Sequence, residues 1–350
     1  MNVGGFPLME WVVKYEKTAK HNLGSSNVKG MQMDISWLSP FDMGKTSNKG
    51  EEEALEAVLS LYPAGLDAVT ATGTSEANQL TIMALGQRGE NTLVETPVYE
   101  PLCKLPVLMG SRVVHVPRAF ENGWQFEEEA LKEAAPACKL FVLTNSHNPS
   151  GIFLKEQQKK LLLDLSKDHK FKIVVDEIFR MLSPDIPSLA GEENVVVTSS
   201  LSKSLGLGGA RCGWVVGEKR DIEKILAVKR ICSAATNPLG ERILARVLSQ
   251  YPTNLDAING VLAKRMAMVE SLVKKSDRIV WTKPDHGCIS FLKIQLPKST
   301  LEFATELFKK DGVLVIPGEF FQCPGHIRVG VGVCDPKEGL NIISERLGTY

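Results

Sequence analysis

One lysine stands where it could do chemistry. The stretch Thr198-Ser-Ser-Leu-Ser-Lys203-Ser-Leu-Gly-Leu-Gly-Gly-Ala-Arg211-Cys-Gly follows the apolar run Val195-Val-Val and precedes Trp214-Val-Val. A lysine amine condenses with a carbonyl when burial or a nearby positive charge lowers its pKa from about 10.4. Ser200, Ser202 and Arg211 bring hydroxyls and a positive charge able to grip a phosphate beside it. A Ser-x-x-Lys alone is more often a surface turn with a solvated lysine, so the weight falls on what accompanies it.

Five further groups carry chemical potential. Thr72-Gly73-Thr74-Ser75-Glu-Ala-Asn follows an apolar run and opens a helical one. Free N–H groups there would favour a phosphate, and the plainer reading is a helix cap. Tyr99, in Thr96-Pro-Val-Tyr99, is either a ring stacked on a flat ligand or ordinary packing. Asn148 precedes Pro149, which holds it extended or in a turn and could aim its amide at a ligand, or simply build a loop. Asp176 ends the apolar run Lys172-Ile-Val-Val-Asp, and its carboxylate could serve a ring N–H⁺, a helix cap or a metal. Arg328, in His326-Ile-Arg-Val-Gly-Val, suits a bidentate pair with a substrate carboxylate or a plain salt bridge.

The elements that must position these groups alternate regularly. Strands are expected at 67–72, 91–95, 112–116, 139–144, 172–176, 195–198 and 212–216, seven in all, with helices at 51–61, 75–85, 127–135 and 155–167 between them. A helix over 101–109 is interrupted in this reading by Pro106. Such alternation of valine-rich runs with helices implies a mostly parallel sheet covered on both faces, with ligands at the carboxyl ends of its strands. After Gly217 the pattern changes to helices at 221–232, 241–248 and 255–275, strands at 288–294, 312–316 and 326–331, and a helix at 301–310. This is an α/β protein with a smaller α+β unit, and the expected division is 39–260 against 1–38 plus 261–350.

Composition narrows the class. The 350 residues hold 41 basic and 41 acidic side chains, which removes an electrostatic case for nucleic acid or an anionic membrane. No apolar run approaches a membrane span, and Met1-Asn-Val-Gly-Gly-Phe-Pro lacks the regions of a secretion signal. Seven dispersed cysteines without a Cys-x-x-Cys pair suggest reduced thiols, and six histidines without ligand spacing give no metal centre. A cytoplasmic protein is the expectation.

In this order and on these strand ends, the set resembles the class I/II aminotransferases, fold-type I enzymes that use pyridoxal 5′-phosphate (PLP). The resemblance runs from Phe6-Pro-Leu-Met-Glu-Trp to Arg328 and is densest in Ser200-Leu-Ser-Lys203-Ser-Leu-Gly-Leu-Gly-Gly-Ala-Arg211 and Asn148-Pro-Ser-Gly151. It implies that Lys203 forms the Schiff base with PLP, and that Gly73, Thr74, Ser75, Ser200 and Arg211 hold the phosphate. Tyr99 would stack on the ring, Asn148 would bond its 3-hydroxyl, Asp176 would keep its nitrogen protonated, and Arg328 with Asn148 would bind the substrate. The implied reaction moves an amino group between an α-amino acid and a 2-oxo acid, in a homodimer.

Two positions depart from the family pattern. Phe179 stands where a tyrosine usually bonds the ring hydroxyl, and no tyrosine lies between Phe41 and Gly50 to reach a neighbouring subunit. Losing a donor to the ring oxygen raises the imine's pKa. Lyases and decarboxylases share these motifs and remain alternatives, as does, more remotely, a non-catalytic binding protein of the same fold. A nicotinamide dehydrogenase does not, because Gly206-Leu-Gly208 is followed three places on by Arg211 where its fingerprint needs glycine.

Overall fold

A computed structural model describes residues 4–30, 32–38, 44–253 and 255–349. Its main sheet is built from β1 (Asp67–Ala71), β2 (Asn91–Thr96), β3 (Arg112–Ala119), β4 (Gln125–Phe126), β5 (Cys138–Thr144), β6 (Lys172–Asp176), β7 (Val195–Ser200) and β8 (Gly213–Gly217). Their order is β1-β8-β7-β6-β5-β2-β3-β4. Neighbours from β7 through β6, β5 and β2 to β3 run parallel, whereas β8 is antiparallel to both β1 and β7. Because β8 is reversed between them, β1 and β7 point the same way. The carboxyl ends of β1, β2, β5, β6 and β7 therefore share one edge.

Valine is the commonest residue of these strands, and the central ones are covered on both faces. Ile173 and Val175 of β6 pack into one core and Val174 into the other, and Phe141 and Leu143 of β5 oppose Leu140 and Val142 in the same way. Each such side chain stabilises the fold by about 1.5–3 kcal/mol relative to exposure.

The sheet has eight strands where seven were expected. The extra one, β4, is two residues long and folds back on the end of β3 through a turn at Gly123, which has φ +71°. Two residues are too few to show a period of two. The 101–109 helix is likewise continuous, from Pro101 to Leu108 with Pro106 inside it. Only one intrahelical N–H is lost there, and the helix ends two residues later.

A second, antiparallel sheet holds β9 (Ile279–Trp281), β10 (Ile289–Ile294), β11 (Ile316–Pro317) and β12 (His326–Gly330) in the order β9-β10-β12-β11. The single strand expected at 312–316 is two short ones, Val313–Leu314 and β11, and the first pairs with His21–Asn22 near the N-terminus. Strand β9 and the final helix Lys337–Leu347 were not expected from the sequence. The 38/39 division adjoins residues 39–43, which lie outside the described residues, as does Phe41. No described helix is long and apolar enough to cross a membrane.

A buried ion pair lies beneath the strand ends. Arg118 of β3 donates to Glu95 of β2 at 2.9 Å and to Trp124 O at 2.6 Å, and both side chains are fully buried. Removing one partner leaves the other charge uncompensated in a low dielectric. Arg118→Met should therefore lower unfolding stability by about 3–5 kcal/mol in urea melts; a loss below about 1 kcal/mol would show the pair to be dispensable.

Candidate active site

The shared edge opens on a cavity of about 590 Å³, lined by Lys203, Thr74, Ser75, Tyr99, Asn148, Asp176 and Arg211 among others. Lys203 sits on the one-turn helix Leu201–Ser204 that follows β7. Its Nζ donates to Asn27 Oδ1 at 2.7 Å. Loss of water around the half-buried side chain, and then the Arg328 guanidinium, push the Lys203 ammonium down to about 8.

Next to it, β1 runs into the helix Gly73–Leu85. Gly73 has φ +79°, and a β-carbon there would come within 2.8 Å of the Arg211 guanidinium. Glycine thus satisfies both the left-handed backbone and the close approach of an arginine. Arg211 donates from Nη2 to Thr72 O at 3.1 Å. Thr74 is buried with its hydroxyl unpartnered, and Ser75 is exposed at the cavity. Arg211, two hydroxyls and the unpaired N–H groups of a helix start form a cradle for an anion.

Asp176 ends β6 on the cavity wall and accepts from Asn78 Nδ2 at 2.8 Å and from Ile178 N at 3.0 Å. Asn78 accepts in turn from Thr198 Oγ1 at 2.5 Å. Burial raises the Asp176 carboxyl to about 6, since these two neutral donors do not offset lost hydration. Tyr99 reaches the cavity from the loop after β2, its ring edge-on to Phe6 at 5.7 Å, and burial pushes its phenol up to about 12.

On the far side, Arg328 donates from Nη1 to Asn148 Oδ1 and from Nη2 to Gly24 O, both at 3.0 Å, while its Nε is buried without a partner. Burial brings its guanidinium down to about 10. Asn148 is steadied by its N–H to Thr144 Oγ1 at 2.9 Å, and Thr144 in turn donates to Glu95 through its N–H at 2.7 Å and its hydroxyl at 2.6 Å.

Not every expected residue faces the cavity. Ser200 is fully buried, its hydroxyl capping the short helix and bonded at 2.8 Å to Ser202, and it is Ser202 that lines the space. Gly73 and Arg328 stand behind the lining, each in contact with a residue that belongs to it. Phe179 lines the cavity with its ring almost wholly buried. Asn27 and Asn78 were missed. Asn78 was within reach of sequence reasoning, since it lies four residues after Thr74 on the same helix face; Asn27, 176 positions before Lys203, carried no such signal.

The raised Asp176 carboxyl has a consequence for stability. Its folded value near 6 exceeds the ordinary 3.8, so its contribution is fully present below about pH 3.8 and is lost as pH rises through 6. Cofactor-free Asp176→Asn should be more stable than the parent chain above pH 7 by about 2–3 kcal/mol and equal to it near pH 4. Denaturant melts at the two pH values check this; equal stability at pH 7.5 would contradict the buried-charge account.

Residues 46–345 match the family model described as aminotransferase class I and II. The chain is 27% identical to capreomycidine synthase of Streptomyces vinaceus, across 98% of this chain and 94% of that one. It is 28% identical to the arginine–pyruvate transaminase AruH of Pseudomonas aeruginosa, across 75% of this chain and 70% of that protein. In fold it matches a PLP-dependent aminotransferase from Streptococcus suis with a TM-score of 0.92 at 22% identity, covering 100% of this chain and 99% of the other. The chain therefore belongs to the class I and II aminotransferase family, and it is an aminotransferase whose cofactor is pyridoxal 5′-phosphate.

Proposed function

We propose that the cavity holds PLP and an amino-acid substrate together, that Lys203 is the amine that bonds the cofactor, and that the reaction transfers an amino group from an α-amino acid to a 2-oxo acid. One observation carries this reading: a lysine, a carboxylate, an anion cradle and a buried arginine, from four distant parts of the chain, converge around one cavity of about 590 Å³. The residues present fit the group. Arg211, Thr74 and Ser75 would hold its phosphate, with Ser202 the serine of the Lys203 turn that faces the space; the unpartnered Thr74 hydroxyl supports this. Tyr99 would cover the ring, Asn148 would meet its hydroxyl, and Asp176 would meet its protonated nitrogen. Bound there, PLP supplies an electron sink for the pair left behind when the substrate's α-proton departs.

The chain's own residues supply the rest. Lys203 Nζ, titrating near 8, holds enough unprotonated amine at neutral pH to take a proton and return it. Arg328, with Nε unpartnered, would bind the α-carboxylate, and its attachment to Asn148 links substrate binding to the residue that meets the ring. Asp176, costly to ionise in isolation, gains a cation when a ring N–H⁺ is placed against it.

We also propose the division into a large unit, 39–260, and a small one, 1–38 with 261–350. The separate core that joins Leu8, Trp11, Leu23 and Val28 to Phe291, Leu307 and Ile343 supports it. We propose further that the chain works as a homodimer in the cytoplasm.

A second reading, a PLP-dependent lyase (a β-eliminating C–S lyase or a decarboxylase), is favoured by one specific pairing of observations. The likeness to capreomycidine synthase spans nearly the whole of both chains, and Phe179 places no hydroxyl at the cavity wall.

The absorption spectrum of the purified protein with PLP distinguishes these. The expected result is a near-visible band that Lys203→Ala abolishes and that single amino acids convert to the shorter-wavelength band of the aminated cofactor. Release of ammonia with a 2-oxo product but no such conversion would move the lyase reading ahead. Absence of any band in the parent chain would end the assignment of Lys203.

A further inference from the structure

The Lys203 amine is held by a residue that belongs to neither the phosphate cradle nor the ring-binding set. Asn27 Oδ1 lies 2.7 Å from Nζ, and the asparagine lines the same cavity. It comes from the N-terminal segment, not from the large sheet. Resting on the reading above, in which Lys203 bonds the cofactor and moves the proton, we propose that Asn27 is a positioning residue that aims the Lys203 amine whenever it is free.

The backbone around Asn27 is built to hold that side chain still. Asn22 Oδ1 accepts from Gly24 N and Ser25 N at 3.2 and 3.1 Å, and Ser25 Oγ accepts from Asn27 N at 3.2 Å. Val28 N donates to the carbonyl of Lys203 itself at 3.2 Å, so the segment is tied to the residue whose side chain it aims. Lys29 N donates to Gly332 O at 3.0 Å. Two glycines make room for this contact: a β-carbon at Gly332 would lie 2.1 Å from Asn27 O, and one at Gly206 would lie 2.5 Å from Lys29 O. On a backbone already held in place, aiming the amide costs only the side chain's own rotamer entropy, whereas on a free loop the backbone would have to be ordered as well.

Asparagine suits the task chemically. Its Oδ1 only accepts, so it can take a hydrogen from either the ammonium or the neutral amine and leave the neutral nitrogen's lone pair directed elsewhere. The charged form donates more strongly, so the bond favours the ammonium, but without a formal charge it does not lock that form. The charged and titratable groups whose fields reach Nζ are Arg328, Cys288, Asp176 and Glu16. Against them a neutral acceptor leaves the amine able to cycle near neutral pH, whereas an aspartate at 27 would hold the proton on.

The test uses the full chain and two variants, Asn27→Asp and Asn27→Ala, with thermal melts confirming that each folds. The first readout needs neither cofactor nor turnover: the pH dependence of Lys203 labelling by a trace amine-acylating reagent, followed by peptide mass spectrometry. The labelling midpoint should rise by about one pH unit or more in Asn27→Asp, as a carboxylate against an amine produces, and fall in Asn27→Ala. With cofactor and an accepted amino acid, Asn27→Ala should lower kcat by about 10- to 100-fold while KM stays within about twofold, the signature of a misaimed group. A folded Asn27→Asp chain with an unmoved midpoint, or an Asn27→Ala chain with parental kcat, overturns the proposal. Failure of the parent chain to form the near-visible band is a separate result, since it removes the role of Lys203 and leaves the labelling comparison intact.

Discussion

The buried pair of Arg118 and Glu95 is the point from which the strand edge takes its order. Two charges without water between β2 and β3 are tolerable only if every polar atom around them is matched. Glu95 therefore also accepts twice from Thr144, the last residue of β5, and Thr144 accepts from Asn148. Asn148 then reaches Arg328 of β12, which donates onward to Gly24. One continuous line of hydrogen bonds thus runs from the interior of the large sheet, across the cavity wall, to a strand of the antiparallel sheet. The pair's own cost and the placement of Arg328 are consequences of a single constraint.

Two adjacent carboxylates show how the chain separates structure from reactivity. Glu177 is bonded by Arg180 at 2.8 Å, Ser188 at 2.7 Å and Leu189 N at 2.9 Å, and it is not part of the cavity lining. Asp176 has only two neutral donors and faces the space. A buried acid that lacks a cation in a cleft is a group held ready for one. The same logic applies with opposite sign at Lys203, where burial and Arg328 disfavour the ammonium. Burial raises Glu95 and Glu177 as well, but each already holds an arginine in contact, whereas Asp176 faces the cavity without one.

Much of this was legible in the residues themselves. The seven long strands follow from short apolar runs, most of them valine-rich, and the groups at their ends from the abrupt change to Thr, Asn, Asp and Ser. Gly73 was legible as part of a turn, but its second reason, the arginine packed against it, came only with the fold. What short-range pattern could not show falls into two kinds. Elements of two or three residues, such as β4 and β9, have too few positions to carry a period. Side-chain direction after a strand is set by local backbone angles: at the Lys203 turn those angles turn Ser200 inward as a cap and leave Ser202 facing the cavity.

From sequence alone came the alternation of elements, the chemical types at the strand ends and the family resemblance, because periodicity and short motifs are properties of neighbouring residues. Only the tertiary structure decided which distant residues meet. Asn27 against Lys203, Arg328 against Asn148 and the Arg118–Glu95 pair join positions 176, 180 and 23 residues apart. Such contacts depend on how strands order in a sheet and how an N-terminal segment packs across it. Those arrangements are selected by the free energy of the whole core, which no local stretch of the chain contains.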